Sequence, residues 1–350
     1  MNWLPNKRSR NLRVGGKNYI DRLIIKTASQ VIKLTICLVG TGMFLSGDAA
    51  SLKLNSWTSV SSRELALKIN QIATEISVKI LDRDFLGSGF IVQQSGQKYL
   101  VITNQHVLRA GEAPYTIETP DGNTYLAKVV SDITDNFFNY DLAILEFEAN
   151  QIYPTAKIGS SLFLKVGEPI FAAGFPYRQS TVQKNPNLWE QTQTNTSRGL
   201  SIKQGRIAII LNQALEEGYQ IGYTNDVKKG MSGGPLLNSQ GEVVGINGKH
   251  AYPLWESPEV YQDGSEPCPA LQELIIRSSL AIPIEKSIEL KPQLKSLNSV
   301  SNYRTVPKSN LLTKNSHLIA KMQAEARETE QKCQDYLIES VRNQGRDTAE

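Results

Sequence analysis

The spacing of apolar residues changes period near Ile76. Before that point, "RELALKINQIATEI" at 63–76 places apolar residues at helical intervals, and Ser61 with Glu64 has the spacing of a capping box. This predicts a short helix at the start of the folded region. From Ile76 onward, Ile76, Val78 and Ile80 alternate, as in a strand with one buried face. Short apolar runs separated by turn signals then continue to about residue 285. "GSGFIVQQSGQKYLVIT" at 87–103 reads as a hairpin turning at Ser95-Gly96-Gln97, and "PDGNTYLAKVV" at 120–130 opens with a turn. "PIFAAGFP", "GRIAIIL" and "YQIGYTN" extend the pattern, and "PLLNSQGEVVGING" at 235–248 is a second hairpin, turning at Asn238–Gly241. Many short strands without alternating helices predict an all-β antiparallel barrel or sandwich. No internal repeat is visible.

After Leu290 the pattern fades. Residues 291–310 are polar, carry two prolines and read as a linker. Then Leu311, Leu318, Met322, Cys333, Leu337 and Val341 recur near helical spacing, which predicts a helical C-terminal extension over 311–345. Such a helix either packs back on the domain or offers a surface for self-association or a partner; the first reading is preferred.

Composition narrows the class. The chain has 350 residues, 40% apolar and 21% charged, which is enough to bury a core. Its net charge of +4 owes much to Lys7, Arg8, Arg10, Arg13 and Lys17. No basic stripe or stacking-aromatic motif supports nucleic-acid binding. Residues 1–50 have a processing pattern: a basic stretch to Lys33, an apolar run at 34–45, then "SGDAAS". That run is short for a bilayer span of about 20 residues and suits a secretory signal cut near Ala49 or Ala50. An uncleaved membrane anchor through 34–45 is the alternative. The expected location is therefore exported: periplasmic, secreted or membrane-anchored. Cys37 lies in the apolar run, which leaves Cys268 and Cys333 as an even pair, free or disulfide-bonded.

"GMSGGPLL" at 230–237 places Ser232 between glycines. A serine needs a base to act as a nucleophile, and there are only three histidines: His106, His250 and His317. His106 stands just past an apolar run in "YLVITNQHVL". Asp141 stands directly before the apolar strand of "NYDLAILEF", where an unpaired carboxylate would be costly. Asp132 and Asp135 are alternatives in a looser polar stretch. The order His, Asp, Ser is one of the known triad arrangements, and an α/β-hydrolase would need Ser first. There is no C-x-x-C pair, no H-E-x-x-H and no glycine-rich phosphate loop, so no metal and no cofactor is implied.

"GSGFIV" at 87–92, "VITNQHV" at 101–107, "DLAIL" at 141–145 and "GMSGGPLLNSQGEVVGING" at 230–248 together resemble chymotrypsin-fold, trypsin-like serine peptidases of the bacterial exported kind. "LAIPI" at 280–284 resembles the closing strand of HtrA proteases. The resemblance covers roughly residues 65 to 290, within a domain assigned to 62–290. It implies two six-stranded antiparallel β-barrels, with His106 and Asp141 from the first and Ser232 from the second. It further implies a serine endopeptidase acting on protein or peptide substrates through an acyl-enzyme. The catalytic residues would be His106, Asp141 and Ser232, with an oxyanion hole from the amides of Gly230 and Ser232. Met231 stands where digestive relatives carry the Asp that pairs with a new N-terminus, so that activation is not expected. Asp226, six residues before Ser232, matches a pocket-floor position. Asn247 and Gly248 lie on the strand expected to form the pocket wall. The segment 251–279 is long for a loop and is expected to overhang the cleft. The competing reading is a catalytically weak trypsin-like module that binds a partner through the C-terminal helix.

Overall fold

In the computed structural model the described residues are 47–82, 84–130, 139–177, 199–252, 258–291, 294 and 316–347, with side chains described from 62 to 339 within them. The expectations for 1–46 and for Asp132 and Asp135 lie outside these residues, as does almost all of the linker. The chain divides into two compact units, 1–59 and 60–350, and the site lies wholly within the second.

Helix α1 spans Gly47–Ile76. It is longer than the sequence reading allowed. Ser61 is not its N-terminus, because no Pro or Gly interrupts 48–76 and the helix simply runs on through the capping-box pair. Ile69, Ala73 and Ile76 are buried at intervals of four and three, the spacing of one helical face. They join the main core together with Leu237, Val243 and Ile246. The turn at Gly241 (φ +82°) comes so close that a Cβ there would stand 2.3 Å from Ile72 Cδ1.

Six strands follow: β1 (Ser77–Leu81), β2 (Phe85–Ser95), β3 (Lys98–Thr103), β4 (Tyr115–Glu118), β5 (Thr124–Val129) and β6 (Ala143–Glu148). They close into an antiparallel barrel in the order β1-β2-β3-β6-β5-β4. The next six are β7 (Pro169–Gly174), β8 (Ser201–Ile210), β9 (Ile221–Tyr223), β10 (Pro235–Leu237), β11 (Val243–Lys249) and β12 (Ser279–Pro283). They close in the order β7-β8-β9-β12-β11-β10, the same topology again. The repeat invisible in the sequence is thus present in the connectivity. Closure removes the free edges that a flat sheet of short strands would expose. Each barrel has its own apolar filling: Val78, Ile80, Ile91, Tyr99, Val101, Leu145 and Phe147 in the first, Ile170, Ile207, Tyr223, Leu236 and Val244 in the second. A third cluster, containing Phe90, Ile102, Leu142, Phe171, Ala173 and Tyr219, lies between them.

Three features differ from the sequence reading. A short helix, α2 (Gln105–Arg109), follows β3, where the sequence reading assigned no helix. The 251–279 segment holds a helix of its own, α3 (Pro269–Ile276), begun by a proline at its first turn. Helix α4 (Ile284–Leu290) follows β12. The C-terminal helix, α5 (Ser316–Asp347), packs back on the second barrel: Cys333 is disulfide-bonded to Cys268, the Arg277 guanidinium pairs with Glu325, and Gln323 donates to the Val166 carbonyl (3.3 Å). No helix among the described residues is long and apolar enough to cross a membrane.

Candidate active site

Asp141 is completely buried two residues before β6. Burying a carboxylate is costly unless donors replace its water, and Asp141 is well supplied. Its Oδ1 accepts the backbone N–H of His106 (2.7 Å), and its Oδ2 meets His106 Nδ1 (2.5 Å). The Tyr219 hydroxyl also donates to Oδ2 (2.5 Å), and Arg109 Nη2 lies 3.8 Å from Oδ1. The backbone is anchored as well: the Asp141 carbonyl accepts from Asn104 Nδ2 (2.7 Å), and its N–H donates to the Glu217 carbonyl (2.9 Å). With Nδ1 facing the carboxylate, the Nε2 edge of His106, a side chain 39% exposed, is left for chemistry.

Ser232 lies in the turn that leads into β10. The Ser232 carbonyl accepts from the Ser88 N–H (2.9 Å). A Cβ at Gly233 (φ +82°) would stand 2.2 Å from the Ser88 carbonyl and 3.1 Å from the Asn104 N, so only glycine allows this approach. The turn therefore rests on the backbone two residues before His106. In the structure the Ser232 hydroxyl donates to the Gly248 carbonyl (3.0 Å).

The peptide linking Lys229 to Gly230 has a fixed orientation. The Lys229 carbonyl accepts from the Tyr177 N–H (2.7 Å) and the Gly230 carbonyl from Ser88 Oγ (2.7 Å). Ser88 in turn accepts the Phe175 N–H (2.8 Å). In a planar trans peptide the N–H points opposite to its carbonyl, so the Gly230 N–H is turned away from Tyr177. Among the described residues neither the Gly230 nor the Ser232 N–H has an acceptor. Gly230 has φ +92°, and a Cβ there would stand 2.6 Å from the Phe175 carbonyl. Met231 is fully buried in the core of the second barrel.

The residues expected to shape the specificity pocket have the following surroundings. Asp226 stands between buried Asn225 and Val227; its side chain is 66% exposed and paired with Lys228 (2.6 Å). Its side chain faces solvent. Asn247 is completely buried, accepting from the Tyr223 hydroxyl (2.9 Å) and donating to the Ala173 carbonyl (2.9 Å). Its side chain braces the strands behind the turn and presents nothing to a substrate. Gly248 meets Ser232 through its carbonyl. His250 and His317 are exposed. Among the described residues there is no cluster of potential metal ligands.

Sequence reasoning assigned no role to Ser88, Glu217 or Tyr219. Ser88 at least stood inside a motif already singled out; nothing near Tyr219 marked it.

Residues 87–246 match the family model of the trypsin-like peptidase domain. This stretch, less than half of the chain, is similar to the trypsin-like peptidase domain. The chain is 35% identical over 162 residues to serine protease HTRA4 of Mus musculus, covering 46% of this chain and 29% of that protein. It is 32% identical over 161 residues to serine protease Do-like HtrB of Bacillus subtilis, covering 46% of this chain and 32% of that one. The chain thus spans less than a third of the length of these relatives.

Proposed function

We propose that the domain is a serine endopeptidase in which Ser232, His106 and Asp141 form the catalytic triad. The observation that carries this reading is the buried Asp141 carboxylate bonded to His106 Nδ1, beside a glycine turn seated on Asn104. The Ser232 hydroxyl swings from the Gly248 carbonyl to His106 Nε2 and attacks the scissile carbonyl carbon as its proton passes to Nε2. Asp141 holds the imidazole tautomer and stabilises the imidazolium. The N–H groups of Gly230 and Ser232, which have no acceptor among the described residues, receive the developing oxyanion. Collapse breaks the C–N bond, and the amine leaves with the proton from Nε2. Water, deprotonated by His106, then releases the acyl group and restores Ser232. The donors are in place before substrate arrives, so no ammonium–carboxylate activation is needed and buried Met231 has none to form.

With Asp226 facing solvent and Asn247 occupied, neither a basic nor an acidic P1 side chain has a partner among the residues expected to select it. A small apolar P1 is the preference proposed here. The exported location and removal of a leader near residue 50 remain part of this proposal. The binding-module reading is weakened because the described inner face of α5 is spent on α3 and the second barrel.

The test is a fluorophosphonate probe on the full chain, read by intact mass. One adduct is expected, and it disappears in Ser232→Ala. A folded protein that takes no adduct would sink the proposal.

A further inference from the structure

Tyr219 belongs to the second barrel. It follows the single 3-10 turn Glu216–Gly218 and directly precedes Gln220 and β9. Its hydroxyl nevertheless reaches the first barrel and donates to Asp141 Oδ2 (2.5 Å). The side chain is completely buried, and desolvation, followed by the nearby Asp141 charge, pushes its ionisation well above the ordinary phenol range. It therefore stays a neutral donor at every pH where a peptidase works.

The ring is fixed on all sides. A Cβ on Gly248 would stand 2.2 Å from its Cε1 and hydroxyl, so the absence of a side chain there admits the ring. Lys249 Nζ lies over the ring, 5.0 Å from its centroid, and is held there by both oxygens of Glu259 (2.8 and 2.9 Å). The turn before Tyr219 is strained, with Glu217 at φ +61° and Gly218 at φ +88°. A non-glycine residue keeps such a conformation only where its surroundings impose it. Here the Glu217 carbonyl accepts the Asp141 N–H (2.9 Å), and its carboxylate meets Arg109 (3.1 Å). The same Gly248 whose flank admits the ring offers its carbonyl to Ser232 Oγ.

We propose that Tyr219 is a positioning residue that locks the Asp141–His106 pair of the first barrel into register with the Ser232 strand pair of the second. The proposal rests on the triad reading above and adds to it. In a two-barrel site the acid and base could drift relative to the nucleophile, and a shift of about 1 Å can cost a hundredfold in rate. One phenol contacts both sides of the seam and removes that freedom. It also takes a share of the Asp141 charge, which moderates how strongly the carboxylate holds a protonated His106. The other charged groups facing this pair are Arg109 and Glu217 from the first barrel and the turn, and Lys249 with Glu259 from the second.

The experiment compares the full-length wild type with Tyr219→Phe, which keeps the ring and removes only the donor. Three readouts are taken: fluorophosphonate labelling, kcat and KM against pH on a peptide substrate, and the NMR titration of His106, one of only three histidines. We expect kcat to fall about tenfold with KM within about twofold, as for loss of a hydrogen bond to a charged group. Without the phenol, Asp141 holds the imidazolium more strongly, so the acidic limb of kcat/KM and the His106 midpoint both move to higher pH. A merely structural tyrosine would move neither. A folded variant with unchanged kcat and an unchanged His106 midpoint overturns the proposal. Should the wild type fail to label, the triad reading falls, while the His106 midpoint still decides whether Tyr219 acts on the pair. Should Tyr219→Phe fail to fold, 3-fluorotyrosine at 219 takes its place: a stronger donor moves the midpoint to lower pH, and no movement overturns the proposal.

Discussion

At the scale of single residues, burial and partner count separate the proposed triad acid from an acid that resembles it in sequence. Asp141 and Asp226 are both short acids beside apolar residues. The first is sealed under donors from His106 and Tyr219; the second is paired with Lys228 in solvent. The expected consequence is that Asp226→Asn leaves P1 preference unchanged and kcat/KM within about twofold, since an exposed ion pair contributes little. A peptide-library cleavage profile checks this, and a changed P1 residue would restore Asp226 to the pocket. The sequence singled out His106, Asp141 and Ser232 by their order and local context together: His106 just past an apolar run, Asp141 directly before one, and Ser232 in a glycine turn. It could not find Tyr219, whose partner is 78 residues away.

At the scale of elements, the strands were legible from alternation and turn residues, down to the hairpin at Gly96 and the turn at Gly241. Helices fared less well. Helix α1 overran its capping-box start because its upstream residues contain no breaker, and α2 is too short for a helical period to show. The C-terminal helix carried the right apolar spacing, but only the structure attached it to α3. That attachment has a measurable consequence. The Cys268–Cys333 bond closes a separation of 65 residues, for which the chain-entropy account gives about 4 kcal/mol. Cys268→Ser with Cys333→Ser is expected to lower the unfolding midpoint in urea and to leave fluorophosphonate labelling intact. An unchanged midpoint would mean that packing of Leu271 and Leu274 suffices to hold the helix.

At the scale of the molecule, the two barrels share one topology and one intervening core, so their joint stability depends on groups buried at and near the seam. Tyr219 and Tyr223 are both fully buried, and desolvation raises the ionisation of each far above the ordinary value of about 10. In the unfolded chain both phenols ionise near pH 10; in the folded chain they stay neutral. Their contribution is therefore fully present below pH of about 10 and declines as pH rises beyond it. Urea midpoints measured from pH 8 to pH 11 should fall steeply above pH 10. In Tyr223→Phe the fall should be shallower, because one such group is gone. A flat profile in the wild type would contradict the burial of these hydroxyls.

The sequence alone determined the period of each apolar run, the turns between them, and the order His, Asp, Ser beside those runs. These are local properties, set by alternation, by glycine and by the cost of leaving a carboxylate unpaired beside an apolar strand. The two six-stranded barrels were implied by the family resemblance and by no local pattern, and the structure bears them out; the strand order they share, the seat of Gly233 on Asn104 and the reach of Tyr219 across the seam were decided only by tertiary structure. Each is a contact between residues far apart in the chain. Whether a side chain such as Asp226 or Asn247 faces solvent, core or cleft depends on how the barrels pack, and no local pattern records that.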